Sequence, residues 1–302
     1  MDLVLKITGT LVGLVAFSLT AAYFSPRSLK RRFIRATILK DGNLELNTSR
    51  TYESPDVVLP HGELQQVAKN VWVLSGTLPQ PGPKFNRNMT VWRAPNSNKL
   101  VIHSPICVDA PTRAKLESLG TVACVLIPSM HHRVDENAYR QAYPEAIFAC
   151  PSIMASKLAH CKTRFSVTAE IAAEDLGFTA LSTPAAIEGF DELVYLFPVE
   201  ANAASRQVAV FNDLMWNLDP EKADPITNLI GSAMGFGMTA IGCLMCGDKL
   251  GLMRQWFQDT FIKDPKIRLF AIVVAHGDVV ELNEIPQQLN HAVQSMTTLV
   301  HT

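Results

Sequence analysis

The chain has 302 residues, of which 48% are hydrophobic, with 27 Lys and Arg against 28 Asp and Glu, and a net charge of −1. That length and apolar content support one large domain or two small ones around a buried core and exclude disorder as the default. The even charge balance provides no basic field for gathering phosphates, which excludes nucleic acid as an expected partner.

The first element is apolar. No residue from Ile7 to Ser25 is charged, and at about 1.5 Å per helical residue this run, with Leu3–Leu5 before it, approaches the ~30 Å hydrocarbon thickness of a bilayer. Residues 3–25 therefore read as a single transmembrane anchor. Arg27, Lys30, Arg31, Arg32 and Arg35 follow it, whereas only Asp2, Lys6 and the amino group precede it; the positive-inside bias places the rest of the chain on the cytoplasmic side. Thr20, Ala21 and Ala22 are small enough for a cleaved signal peptide, a reading that the basic cluster opposes. Residues 26–62, with Asn43, Asn47, Pro55 and Pro60, read as a basic flank and linker.

The domain proper runs over residues 63–302. Short β-rich runs at Asn70–Ser75, Met89–Arg93 and Lys99–His103 are separated by proline- and asparagine-rich turns. A helix over Pro111–Leu119, closed by Gly120, leads to a buried strand at Thr121–Ile127. A second helix at Glu136–Tyr143 leads to the strand Ala146–Cys150, and Pro151-Ser152 opens another helical run. Later strands are Leu193–Phe197 and Gln207–Asn212, pairing across Glu200–Ser205, and Leu269–Ala275, flanked by helical patterns at Leu250–Ile262 and Ile285–Val300. This grouping suggests α/β sheets covered by helices. Pro225–Gly247 is uncharged and rich in Gly, Ala and Met; a helix packed closely inside the domain is the preferred reading over a second span.

The six cysteines do not have the spacing of a disulfide framework, and Cys243-Leu-Met-Cys246 has no second CxxC to complete a zinc site. They read as buried thiols. Chemistry concentrates instead at strand ends, where an α/β sheet holds side chains rigidly in a crevice. Ser129, His131 and His132 follow one apolar strand, Asp213 another, and His276 a third. Each alone is an ordinary loop residue; together they offer the nitrogen and oxygen donors of a zinc-type site with open positions.

The runs Asn70-Val-Trp-Val-Leu-Ser-Gly76, Leu100-Val-Ile-His-Ser-Pro105, Leu126-Ile-Pro-Ser-Met-His-His132, Phe211-Asn-Asp213 and Val274-Ala-His-Gly277 resemble the metallo-β-lactamase-like superfamily, and in particular its DUF4336 branch. The resemblance implies an αββα sandwich with its site along one sheet edge. It also implies that Asp213 stands for the metal-bridging carboxylate, His276 for the last histidine ligand, and either His131 or His132 for a ligand of the first motif. Asp135 matches the water-activating aspartate in one register, and Asp135 or Glu136 would shuttle protons. The family's His-x-His-x-Asp-His motif is degenerate here, and no histidine precedes the Asp213 strand; the donors present suffice for one zinc or other divalent ion. The expected function is a membrane-anchored metal-dependent hydrolase acting on a small-molecule or lipid-like substrate, the alternative being a non-catalytic scaffold that has lost its metal centre.

Overall fold

The computed structural model describes Leu29, Arg32 and residues 51–298, apart from 55, 79–84, 160–164, 185–191, 203–204, 222, 224–226 and 228–234. The chain divides into two compact units, Met1–Lys40 and Asp41–Thr302; the fold below is that of the second. The expected anchor at 3–25 lies outside the described residues. Among the described residues, no helix is long and apolar enough to cross a membrane.

Seven strands form the first sheet in sequence order: β1 (Gln65–Ala68), β2 (Val71–Thr77), β3 (Asn86–Arg93), β4 (Lys99–His103), β5 (Thr121–Leu126), β6 (Ile147–Cys150) and β7 (Val167–Thr168). Pairing is antiparallel from β1 to β4 and parallel from β4 to β7. The switch occurs where the connections become helices, α1 (Ala110–Leu119) and α2 (Glu136–Ala142), because parallel neighbours need a crossover. Asp109 caps α1 by accepting from the Thr112 amide, and Gly120 ends it.

The second sheet has the order β13 (Leu269–Val274), β10 (Gln207–Phe211), β9 (Leu193–Pro198) and β8 (Thr179–Ser182). β9 and β10 form the expected hairpin, whereas β10 and β13 run parallel. The two sheets face each other through Val73, Trp92, Val101 and Leu126 on one side and Tyr195, Phe197, Val210 and Val273 on the other. The outer face of the first sheet packs Met89, Leu100 and Ile102 against Leu116 of α1 and Tyr139 of α2. On the outer face of the second, Phe211 meets Phe257 and Phe261, from α3 (Leu250–Phe257) and the wider π turn that continues it to Lys263. Helices therefore cover both outer faces.

Two expectations change. The described part of 225–247 is not one helix: Gly235–Met238 is β12, paired with β11 (Met215–Leu218), and only Ala240–Cys246 is helical. Close packing does explain two of its glycines, since a Cβ on Gly237 would lie 2.8 Å from Ser295 Oγ and one on Gly242 2.9 Å from Met238 Cγ. The lead-in is also packed before Glu63, where Val57 is buried with Cys107 and Ala138. Cys107, Cys124, Cys150, Cys243 and Cys246 are buried and in no disulfide, and burial pushes the Cys124, Cys150 and Cys243 thiols up to about 12, as inert core thiols require.

Candidate metal centre

Three loops at one end of the sandwich bring side chains together. β5 ends at Leu126 and Pro128 removes a ladder donor, so the chain turns and presents His132. Asp213 leaves the end of β10, and His276 leaves the end of β13, where Gly277 adopts φ 110°. A Cβ at Gly277 would sit 2.1 Å from the Asn217 carbonyl oxygen, so only glycine fits this turn.

His132, Asp213 and His276 each place one ligand atom within 4.8 Å of the others. Asp213 Oδ1 is 3.2 Å from His132 Nε2 and 3.3 Å from His276 Nε2. Its other oxygen accepts from Ser129 Oγ at 3.3 Å and Asn212 Nδ2 at 3.2 Å. Burial opposes ionisation of Asp213, but the two imidazoles outweigh it and hold the carboxyl well below its ordinary value. Burial also lowers the pKa of His132 against the pull of Asp213. The ionised carboxylate and neutral imidazole that result are the forms that bind metal.

Each ring is held from behind. His276 Nδ1 faces the Asn86 carbonyl oxygen at 2.7 Å; a carbonyl only accepts, so Nδ1 carries hydrogen. Its Nε2 then faces the Asp213 carboxylate oxygen at 3.3 Å, a separation in which both atoms could ligate one cation. His132 Nδ1 is 2.7 Å from Ser104 Oγ. Asn88 Nδ2 donates to the carbonyls of Val274 and Gly277, both at 2.8 Å, and the Gly277 amide donates to Asn86 Oδ1 at 2.8 Å. The first sheet thus clamps the His276 loop of the second. Two imidazoles and a carboxylate, with their other atoms engaged, fit a zinc-type ion and leave positions open.

The remaining predicted residues lie elsewhere. His131 is exposed and outside the cluster, and of the two it is His132 that lies beside Asp213 and His276. Asp135 and Glu136 do not enter the cluster either: Asp135 is bound by Arg87 Nη2 and the Cys107 amide, while Glu136 pairs with Arg133 and Arg140. Both carboxylates thus accept from guanidinium partners. The Glu136 pairing also occupies Arg133.

Sequence reasoning missed several neighbours. Phe85 and Trp216 wall His276, each ring 4.7 Å from it. Glu192 Oε2 accepts from the Asp213 amide at 2.8 Å, and burial together with the Asp213 charge raises its pKa well above the ordinary value. His103 ends β4 opposite Thr90, its ring edge-on to Tyr195 at 5.2 Å. Among the described residues neither of its ring nitrogens has a hydrogen-bond partner. Burial, helped by His132 and opposed by Asp213, lowers the His103 pKa to about 3.

DIM-1 metallo-β-lactamase exposed to ceftazidime superposes with a TM-score of 0.51 at 9% identity, covering 79% of this chain and 99% of that one. VMB-1 gives 0.50 at 13% identity, covering 77% and 97%. The chain has the metallo-β-lactamase-like fold. At such identities the likeness concerns the fold alone. No family model and no curated protein matches the sequence. Within this fold, the triad lies at the strand ends of both sheets.

Proposed function

We propose that this protein is a metal-dependent hydrolase with a single divalent ion, zinc in the first instance, held by His132, Asp213 and His276. The observation that carries the reading is the convergence of the three donors with His276 locked so that Nε2 faces Asp213. A divalent ion there supplies Lewis acidity, which brings the ionisation of water towards pH ~7 and polarises a substrate carbonyl or phosphoryl oxygen. The chain's own part is to orient the donors through Ser104 and Asn86, to keep them dry, and to offer Phe85 and Trp216 as an apolar wall for substrate. The scaffold alternative presumed a lost centre, and a converged, second-partnered triad does not favour it.

Metal analysis of the full chain beside Asp213→Ala and His276→Ala tests the reading. One equivalent of divalent metal is expected in the parent chain and none in either variant. Absence of stoichiometric metal after reconstitution with zinc, iron or manganese would refute it.

We propose in addition that residues 3–25 tether the domain to a membrane with the domain on its cytoplasmic side, and that the substrate is a small or lipid-like molecule. The uncharged Ile7–Ser25 run and its basic flank support this. Engineered glycosylation sites from residue 40 onward should stay unmodified; their modification would reverse the orientation.

A further inference from the structure

We infer that Ser104 is a positioning residue of this centre, whose hydroxyl serves His132 in both of its neutral tautomers and whose unfavourable backbone is retained to hold that hydroxyl in place. The inference rests on the reading of His132, Asp213 and His276 as ligands.

Ser104 has φ 55° and precedes Pro105. A Cβ disfavours the left-handed region, which counts against serine here. Glycine would be the undemanding choice. Ser104 is nevertheless buried, with its amide donating to the Leu126 carbonyl at 3.1 Å and its Oγ 2.7 Å from His132 Nδ1. Strain maintained at a site where the side chain makes one specific contact points to that contact as its reason.

The chemistry of the two ring partners differs. His276 faces a carbonyl, which accepts only and permits one neutral tautomer. A hydroxyl can donate or accept. With the centre empty, His132 carries hydrogen on Nε2, donates to Asp213 Oδ1 at 3.2 Å, and takes the Ser104 proton as a hydrogen bond at Nδ1. An ion held at Nε2 would require the other neutral tautomer, with the hydrogen on Nδ1 facing Ser104. The hydroxyl then turns and accepts. Ser104 is thus the partner that lets His132 alternate, while the Asn86 carbonyl keeps a hydrogen on His276 Nδ1.

The test uses full-length Ser104→Ala and Ser104→Gly. Zinc affinity is measured by competition with a chromophoric chelator, metal-free melting by circular dichroism, and the histidine ring nitrogens by NMR in metal-free protein. Both variants should bind zinc about 10–100-fold more weakly, the scale of losing a partner behind a metal-binding histidine. Gly should melt above Ala, since both lack the hydroxyl and only Gly relieves the backbone. In Ser104→Ala the His132 Nδ1 resonance should shift while that of His276 stays. Unchanged zinc affinity in both variants, a Gly variant melting no higher than Ala, or an unmoved His132 Nδ1 would each overturn the inference. If the parent chain takes up no zinc, the ligand reading fails, and the melting and NMR comparisons alone decide whether Ser104 holds His132.

Discussion

Replacing His103 with phenylalanine should remove part of the protein's sensitivity to acid. The ring is almost fully buried and its pKa falls from 6.5 to about 3 in the fold, chiefly by burial. A group whose folded pKa is depressed contributes stability that is present above the unfolded value and lost as the pH falls. Above pH 6.5 both states leave the ring neutral; below it the unfolded chain takes up a proton that the folded chain refuses. Stability then declines by about 1.4 kcal/mol per pH unit, or on the order of 5 kcal/mol by the time the folded ring titrates. Urea midpoints of metal-free parent and His103→Phe proteins, measured from pH 7.5 to 4.5, isolate this contribution, because other groups titrate in both. At pH 7.5 the two should agree within about 1.5 kcal/mol, a near-isosteric swap, and below pH 6.5 the variant should lose less. Parallel acid limbs would refute the reasoning.

Gly277→Ala places a Cβ against the Asn217 carbonyl at a left-handed φ; it should cost about 3 kcal/mol or more in chemical denaturation and weaken zinc retention, because His276 is the preceding residue. Asp135→Asn leaves Arg87 buried beside a neutral group and should destabilise by about 3–5 kcal/mol by urea titration, with zinc content per folded molecule unchanged by elemental analysis. Zinc content should likewise survive Cys243→Ala with Cys246→Ala, since neither thiol belongs to the cluster; loss of one equivalent would contradict that assignment.

The central strands were legible because burial on both faces writes continuous apolar runs: Lys99–His103 is β4 as expected, and Leu193–Phe197 lies within β9. The marginal strands were not. Gln65–Ala68, Val167–Thr168 and Thr179–Ser182 are two to four residues long at or near sheet edges, where polar side chains blur alternation. Gly235–Met238 looked helical because it sits in an uncharged run and its two glycines signal no particular backbone. Asp213 and His276 followed from their positions after apolar strands. The choice between His131 and His132 did not, since regular periodicity stops at Pro128 and the turn decides which ring faces inward. Asp135 and Glu136 looked chemical because they stand beside histidines; Arg87, which claims Asp135, is 48 residues away in sequence. Asn86 and Asn88, two apart at the start of an apolar strand, carried a signal: paired carboxamides on one strand face near its end have backbone to hold.

The first sheet is complete by Thr168 and the second begins at Thr179, so sequence order and sheet membership coincide. His132 belongs to the first part, and Asp213 and His276 to the second. A chain severed near Gly177, where the surroundings are open, would yield one fragment with a single donor and another with two. Neither half alone would hold all three donors. An ion held by donors from both would add to the apolar contact between the sheets in favouring their reassembly, making the protein a candidate split reporter whose complementation a divalent cation strengthens.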